Sequence, residues 1–231
     1  MPDIAVIGGM AVNIRLSTAA AAHRATQDLD VVADNAVPSV IEILARNHST
    51  RREHTVVVDG VEIDVIVTQA VTEEDLDGLD DGQRLFLAGH RWALDSARRV
   101  RLDSAGDGAS VTLPVATPAG LVAAKSHAAG YPRTSRRASK HGGDLYDVFR
   151  LVEVFDGAGQ LRDEIAAAPG GIARLVAEVV ASEILASPVR AMRQMAAATA
   201  GGPPPDPDRI TDVLEPFVEE LLAAGLPDDH A

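Results

Sequence analysis

The sequence contains no cysteine, which excludes disulfides and thiolate metal sites and leaves oxygen and imidazole as the only metal ligands, a composition suited to a reducing cytoplasm. Aromatics make up only 3% of the 231 residues, so the core must be built from Ala, Val, Leu and Ile and is weighted toward helix. No apolar run approaches the ~20 residues of a membrane span, and no basic n-region marks a signal peptide. The expectation is a cytoplasmic protein with no membrane segment. Positive charge is also in deficit: 21 Lys and Arg against 34 Asp and Glu give a formal net charge of -13. That balance argues against non-specific coating of nucleic acid, which needs surface cations to neutralise phosphates, but leaves room for one held locally. Arg133, Arg136, Arg137, Lys140 and His141 form the one obvious basic cluster, in a polar loop read from Gly130 to Gly143.

What is present starts with Ile4 to Asp34. An apolar strand ends at Gly8-Gly9, a helix of small residues follows, and Asp28 and Asp30 then fall at i and i+2 of a second strand. Side chains alternate across a strand, so these two carboxylates share a face and can hold a divalent cation together. Pro38 and the apolar stripe after it predict a helix ending near His48. Asp59-Gly60, between two β-branched runs, predicts a hairpin, because a type I′ turn needs positive φ at both central residues. Alternation along the second run puts Glu62 and Asp64 on one face and Val61, Ile63 and Val65 on the other, which makes Asp64 a third strand carboxylate.

Further along, an acidic stretch from Thr72 to Asp81 precedes a helix over Leu85 to Ala97, and a second hairpin pairs the strands around Val100 to Leu102 and Val111 to Leu113. From Thr117-Pro118 the pattern turns helical, with Thr as cap and Pro in the first turn. Lys125 falls inside that helix. After the basic loop, Asp144, Asp147 and Leu151 stand at i, i+3 and i+7, so both acids project from one side of the next helix. GGPPPDPD reads as a stiff linker to a last helix over Ile210 to Leu222. The fold class is therefore α/β (α+β): a mixed sheet flanked by helices over residues 1–116, then a helical lobe over residues 117–231. His23, His90, His127 and His141 show no zinc spacing and read as structural. No aromatics interleave with the basic loop, so base stacking is not indicated.

Gly8-Gly9, then Arg24, Thr26, Asp28 and Asp30 in order, then Asp64, Lys125 and Asp144-x-x-Asp147, resemble the AbiEii/AbiGii toxin group of minimal nucleotidyltransferases in the DNA polymerase beta superfamily. The resemblance covers roughly Ile4 to Glu153. It implies that Gly8 and Gly9 cradle phosphates, with Arg24, Thr26, Lys140 and Asp144 also on the nucleotide side. Asp28 and Asp30 would bind Mg²⁺, Asp64 would be a further ligand, and Lys125 and Asp147 would complete the catalytic set. The family's lysine directly before the first acid of KDxxD is Gly143 here, with Lys140 three residues earlier.

The reaction so implied moves NMP from an NTP to a hydroxyl such as a tRNA 3′ end, in the toxin of a toxin–antitoxin pair with a cognate antitoxin. Two alternatives stand beside it. Acidic composition suits a cationic small molecule as acceptor, or the acceptor is a protein hydroxyl; and Gly143 fits a non-catalytic member that binds nucleotide or a partner.

Overall fold

The computed structural model describes residues 3–19, 29–35, 42, 50–52, 54–104, 106, 108–131, 138–199 and 205–224. Strand β1 (Ile4–Ile7) runs into helix α1 (Gly8–Thr18), followed by β2 (Leu29–Asp34), β3 (Thr50–Arg52), β4 (Thr55–Val58) and β5 (Val61–Thr68). A short α2 (Glu73–Leu76) and a longer α3 (Asp81–Asp95) lead to β6 (Arg98–Asp103) and β7 (Ser110–Val115). The rest is helical: α4 (Pro118–Gly130), α5 (Ala138–Phe155), α6 (Gln160–Ala166), α7 (Ile172–Val180) with a π-helical turn over Ala181–Leu185, α8 (Pro188–Ala198) and α9 (Pro207–Ala224). Among the described residues no helix is long and apolar enough to cross a membrane.

The strands form one mixed sheet in the order β3-β4-β5-β2-β1-β7-β6. β1 is central, antiparallel to β2 and parallel to β7, and its Ala5, Val6 and Ile7 are buried. β2 and β5 run parallel with Asp30 opposite Asp64. The predicted hairpins form β4–β5 and β6–β7. At the first turn Asp59 and Gly60 take φ of 50° and 84°, the left-handed values a type I′ turn requires.

The helix after the second hairpin starts as its residues require: Pro118 occupies the first turn, and the Thr117 hydroxyl accepts the Gly120 N–H at 3.2 Å. α4 is apolar on nearly every side and correspondingly buried, between α3, α5 and α7, with Leu121, Val122 and Ala123 fully enclosed. Leu121 and Val122 each contribute roughly 1.5–3 kcal/mol by leaving water. Buried residues of the sheet (Val6, Val115) and of the helices (Leu121, Phe149, Leu175, Phe217) belong to one continuous cluster.

Several boundaries differ from the sequence reading: α3 starts at Asp81 instead of Leu85 and ends at Asp95, and α9 extends the predicted last helix at both ends. α1 begins at Gly8, two residues before the expected start at Met10. α5 begins at Ala138, so Lys140, His141, Gly142 and Gly143 are helical and the loop is shorter than predicted. All of the predicted helix after Pro38 except Glu42, most of the basic run and the start of GGPPPDPD lie outside the described residues.

Candidate active site

The β1–α1 turn is built around a glycine with no substitute. Gly8 has φ of 69°, and a Cβ there would collide with the Asp30 carboxylate of the neighbouring strand. Only a residue without a side chain brings the helix start against that acid. Asp64 stands beside Asp30 across the parallel ladder, and one of its carboxylate oxygens accepts the Thr55 hydroxyl at 2.5 Å. Side chains from adjacent strands at paired positions share a face of the sheet, so the register itself sets the two acids together.

Facing them is a charged group carried by the helices. Lys125 Nζ of α4 donates to Asp144 Oδ1 at 2.6 Å and lies 2.8 Å from Asp147 Oδ2, both on α5. The Lys125 side chain is 7% exposed, Asp144 4% and Asp147 not at all, so this is a buried triad. Burial alone would lower the lysine's pKa, but the two carboxylates outweigh it and hold Nζ firmly protonated, above the ordinary lysine value. An ammonium has three donors. Asp144 and Asp147 engage two of them among the described residues.

These groups border a cavity of about 600 Å³ lined by Gly8, Asp30, Thr55, Asp64, Lys125, Lys140 and Asp144, together with His54, Phe86, His90, His127, Tyr131 and His141. That volume is within the range of small-molecule sites. Of the residues singled out in the sequence, the structure thus brings Gly8, Asp30, Asp64, Lys125, Lys140 and Asp144 to one cleft. Gly9 is buried inside α1, and Asp147 sits behind Lys125 in the core. Arg24, Thr26 and Asp28 lie outside the described residues.

Of the histidines read as structural, His90, His127 and His141 line the cleft next to Phe86 and Tyr131, and His23 lies outside the described residues. The signal available was two pairs at i and i+4, Phe86 with His90 and His127 with Tyr131, each of which falls on one helix face.

Among the described residues that line the cleft, the carboxylates of Asp30, Asp64 and Asp144 outnumber the ammonium groups of Lys125 and Lys140. Hard carboxylate oxygens in excess over nearby cations suit a divalent ion, and Mg²⁺ is bound through one or two carboxylates plus substrate phosphates, so Asp30 and Asp64 fit it. Among the described residues no group of three or more His, Asp or Glu is close enough to hold a metal without such help.

The family of nucleotidyl transferase AbiEii toxins of type IV toxin–antitoxin systems matches this chain over residues 1–223. The chain belongs to that family. Membership makes nucleotidyl transfer its chemistry class, and implies a nucleotide substrate and an antitoxin partner. The chain is also similar to an antigenic nucleotidyltransferase-like protein from Paracoccidioides brasiliensis of known crystal structure, at a TM-score of 0.44 and 15% identity, over 86% of this chain and 84% of that one. No curated protein matches.

Proposed function

We propose that this AbiEii-family chain transfers NMP from an NTP, bound with Mg²⁺, to the hydroxyl of a tRNA 3′ end. The observation that carries the reading is the register that sets Asp30 beside Asp64, under a turn where Gly8 admits no side chain, across a cleft from Lys125. Asp30 and Asp64 would hold the Mg²⁺. When bound, the ion supplies charge neutralisation for the triphosphate and lowers the pKa of an attacking hydroxyl.

The chain's own groups do the rest. Backbone N–H groups at the start of α1 face the phosphates, where a helix N-terminus favours negative charge. Lys125 offers its third N–H to the same phosphates, at a point where charge builds up as pyrophosphate leaves. The acceptor oxygen bonds to the α-phosphorus while the bond from that phosphorus to the bridging oxygen breaks. Thr55 holds one oxygen of Asp64, and the other accepts the acceptor's proton. Asp147, shielded from the cavity, acts through Lys125 as a positioning residue.

The test is incubation of the purified chain with Mg²⁺, each labelled NTP and total tRNA. Label transfer that disappears in Asp30→Asn and Asp64→Asn supports the reading. No transfer with any of the four nucleotides refutes it. The net charge of -13 favours a second reading, in which a cationic small molecule supplies the hydroxyl; transfer to an aminoglycoside with none to tRNA would select it.

A further inference from the structure

One wall of the cleft is made of rings. Phe86 and His90 of α3 have centroids 4.6 Å apart, and Phe86 lies 5.1 Å from His127 of α4. His90 and His127 meet edge to face at 5.8 Å, and Tyr131 stacks on His127 at 5.8 Å with an interplanar angle of 22°. Phe149 and Phe217 are spent in the core, whereas Phe86 and Tyr131 border the cavity together with His90 and His127. Tyr131 in particular is 37% exposed.

The wall is also held in place. His90 Nδ1 is 2.7 Å from the Phe86 carbonyl oxygen, which can only accept, so Nδ1 carries the proton and the imidazole is fixed in orientation. Tyr131 lies so close to α3 that a Cβ at Gly82 would stand 2.7 Å from its ring. Phe86, His127 and Tyr131 continue into a second cavity of about 420 Å³, so the rings are reached from the acidic cleft and from its far side.

We infer that this wall is the nucleobase subsite: it stacks the base of the NTP whose phosphates lie toward Gly8, Asp30 and Lys125. The inference rests on the nucleotidyl-transfer reading and names where the base goes. Every base has a π face, and a preformed platform stacks it with little ordering cost. The rings belong to α3 and to the end of α4, not to the basic loop, where no aromatics interleave.

The test compares two ligands by calorimetry in Mg²⁺: each NTP, and inorganic tripolyphosphate, which has the phosphates without the base. The variants are Tyr131→Ala, at an exposed position, and Phe86→Leu, which keeps apolar bulk and removes the ring; thermal melts confirm that both fold. Weakening of NTP binding by about tenfold or more, with tripolyphosphate binding held within about twofold, supports the subsite. Native protein that binds NTP no more tightly than tripolyphosphate, or variants that lose neither or both ligands equally, overturn the subsite and leave nucleotidyl transfer standing. Native protein that binds neither ligand overturns both.

Discussion

Replacing Lys125 with methionine isolates the electrostatics of the buried triad. Met fills the space of the lysine stem, so the apolar packing within α4 stays and only the ammonium is lost. Asp144 and Asp147, 4% and 0% exposed, then have no cation. Breaking a buried pair by removing one partner costs about 3–5 kcal/mol, because the remaining charge stays out of water. For a chain of this length each kcal/mol lowers Tm by about 2–4 °C, so the variant should melt roughly 6–20 °C below the native protein. Urea unfolding followed by far-UV circular dichroism at pH 7 measures the loss directly.

A triple variant, Lys125→Met with Asp144→Asn and Asp147→Asn, removes the stranded charges and should recover at least half of what the single change loses. A triple variant no more stable than Lys125→Met would refute the electrostatic reasoning and assign the loss to packing. The pH dependence provides a second check. Lys125 is raised in the folded state, so its contribution is complete below the unfolded lysine value of about 10.4 and is lost as pH climbs through the elevated folded value.

Gly8→Ala should cost roughly 1–2 kcal/mol from the left-handed backbone alone, and should abolish NMP transfer because the new methyl meets the Asp30 carboxylate; a variant with native turnover sinks the phosphate-cradle reading. Mg²⁺ together with an NTP at about a hundred times its Kd should raise Tm by roughly 5–11 °C, from ~2.7 kcal/mol of linkage. Asp30→Asn and Asp64→Asn should lose that shift in differential scanning fluorimetry, and retention in both would place the ion elsewhere. Gly142→Ala drives a Cβ into the Gln194 carbonyl of α8, so it should lower stability by about 1–3 kcal/mol in urea unfolding, as overpacking does; an unchanged midpoint would show that α5 and α8 separate freely.

Features set by neighbours in sequence were legible before the structure. Asp59-Gly60 dictates its turn, Thr117-Pro118 its helix start, and the 2-residue alternation the placement of Asp30 and Asp64 on their strands. Features set by one helix against another were not. The stretch Lys140 to Gly143 reads as loop because each glycine in a helix interior costs about 1 kcal/mol relative to Ala. The structure shows why helix wins there: Gly142 lets α5 approach the backbone of α8 at a distance no side chain permits. The ring wall was hidden for the same reason. Phe86 with His90 and His127 with Tyr131 are ordinary helix pairs until α3 packs on α4 and joins them.

The triad shows how the same limit bears on chemistry. The i, i+3 spacing of Asp144 and Asp147 suggests two equivalent carboxylates, and only the family resemblance separates them, with Asp144 on the nucleotide side and Asp147 in the catalytic set. In three dimensions they diverge: Asp144 reaches the cleft, whereas Asp147 is closed off behind Lys125. A carboxylate that never meets the substrate can still act on it, by keeping the lysine charged and aimed. Asp147→Asn should therefore weaken tripolyphosphate binding through Lys125 and leave the Asp30–Asp64 pair intact, so that the Mg²⁺-dependent part of NTP binding survives. Loss of that part as well, in a variant that melts like the native protein, would mean that Asp147 serves the metal side of the cleft and that the division of labour drawn from its burial is wrong.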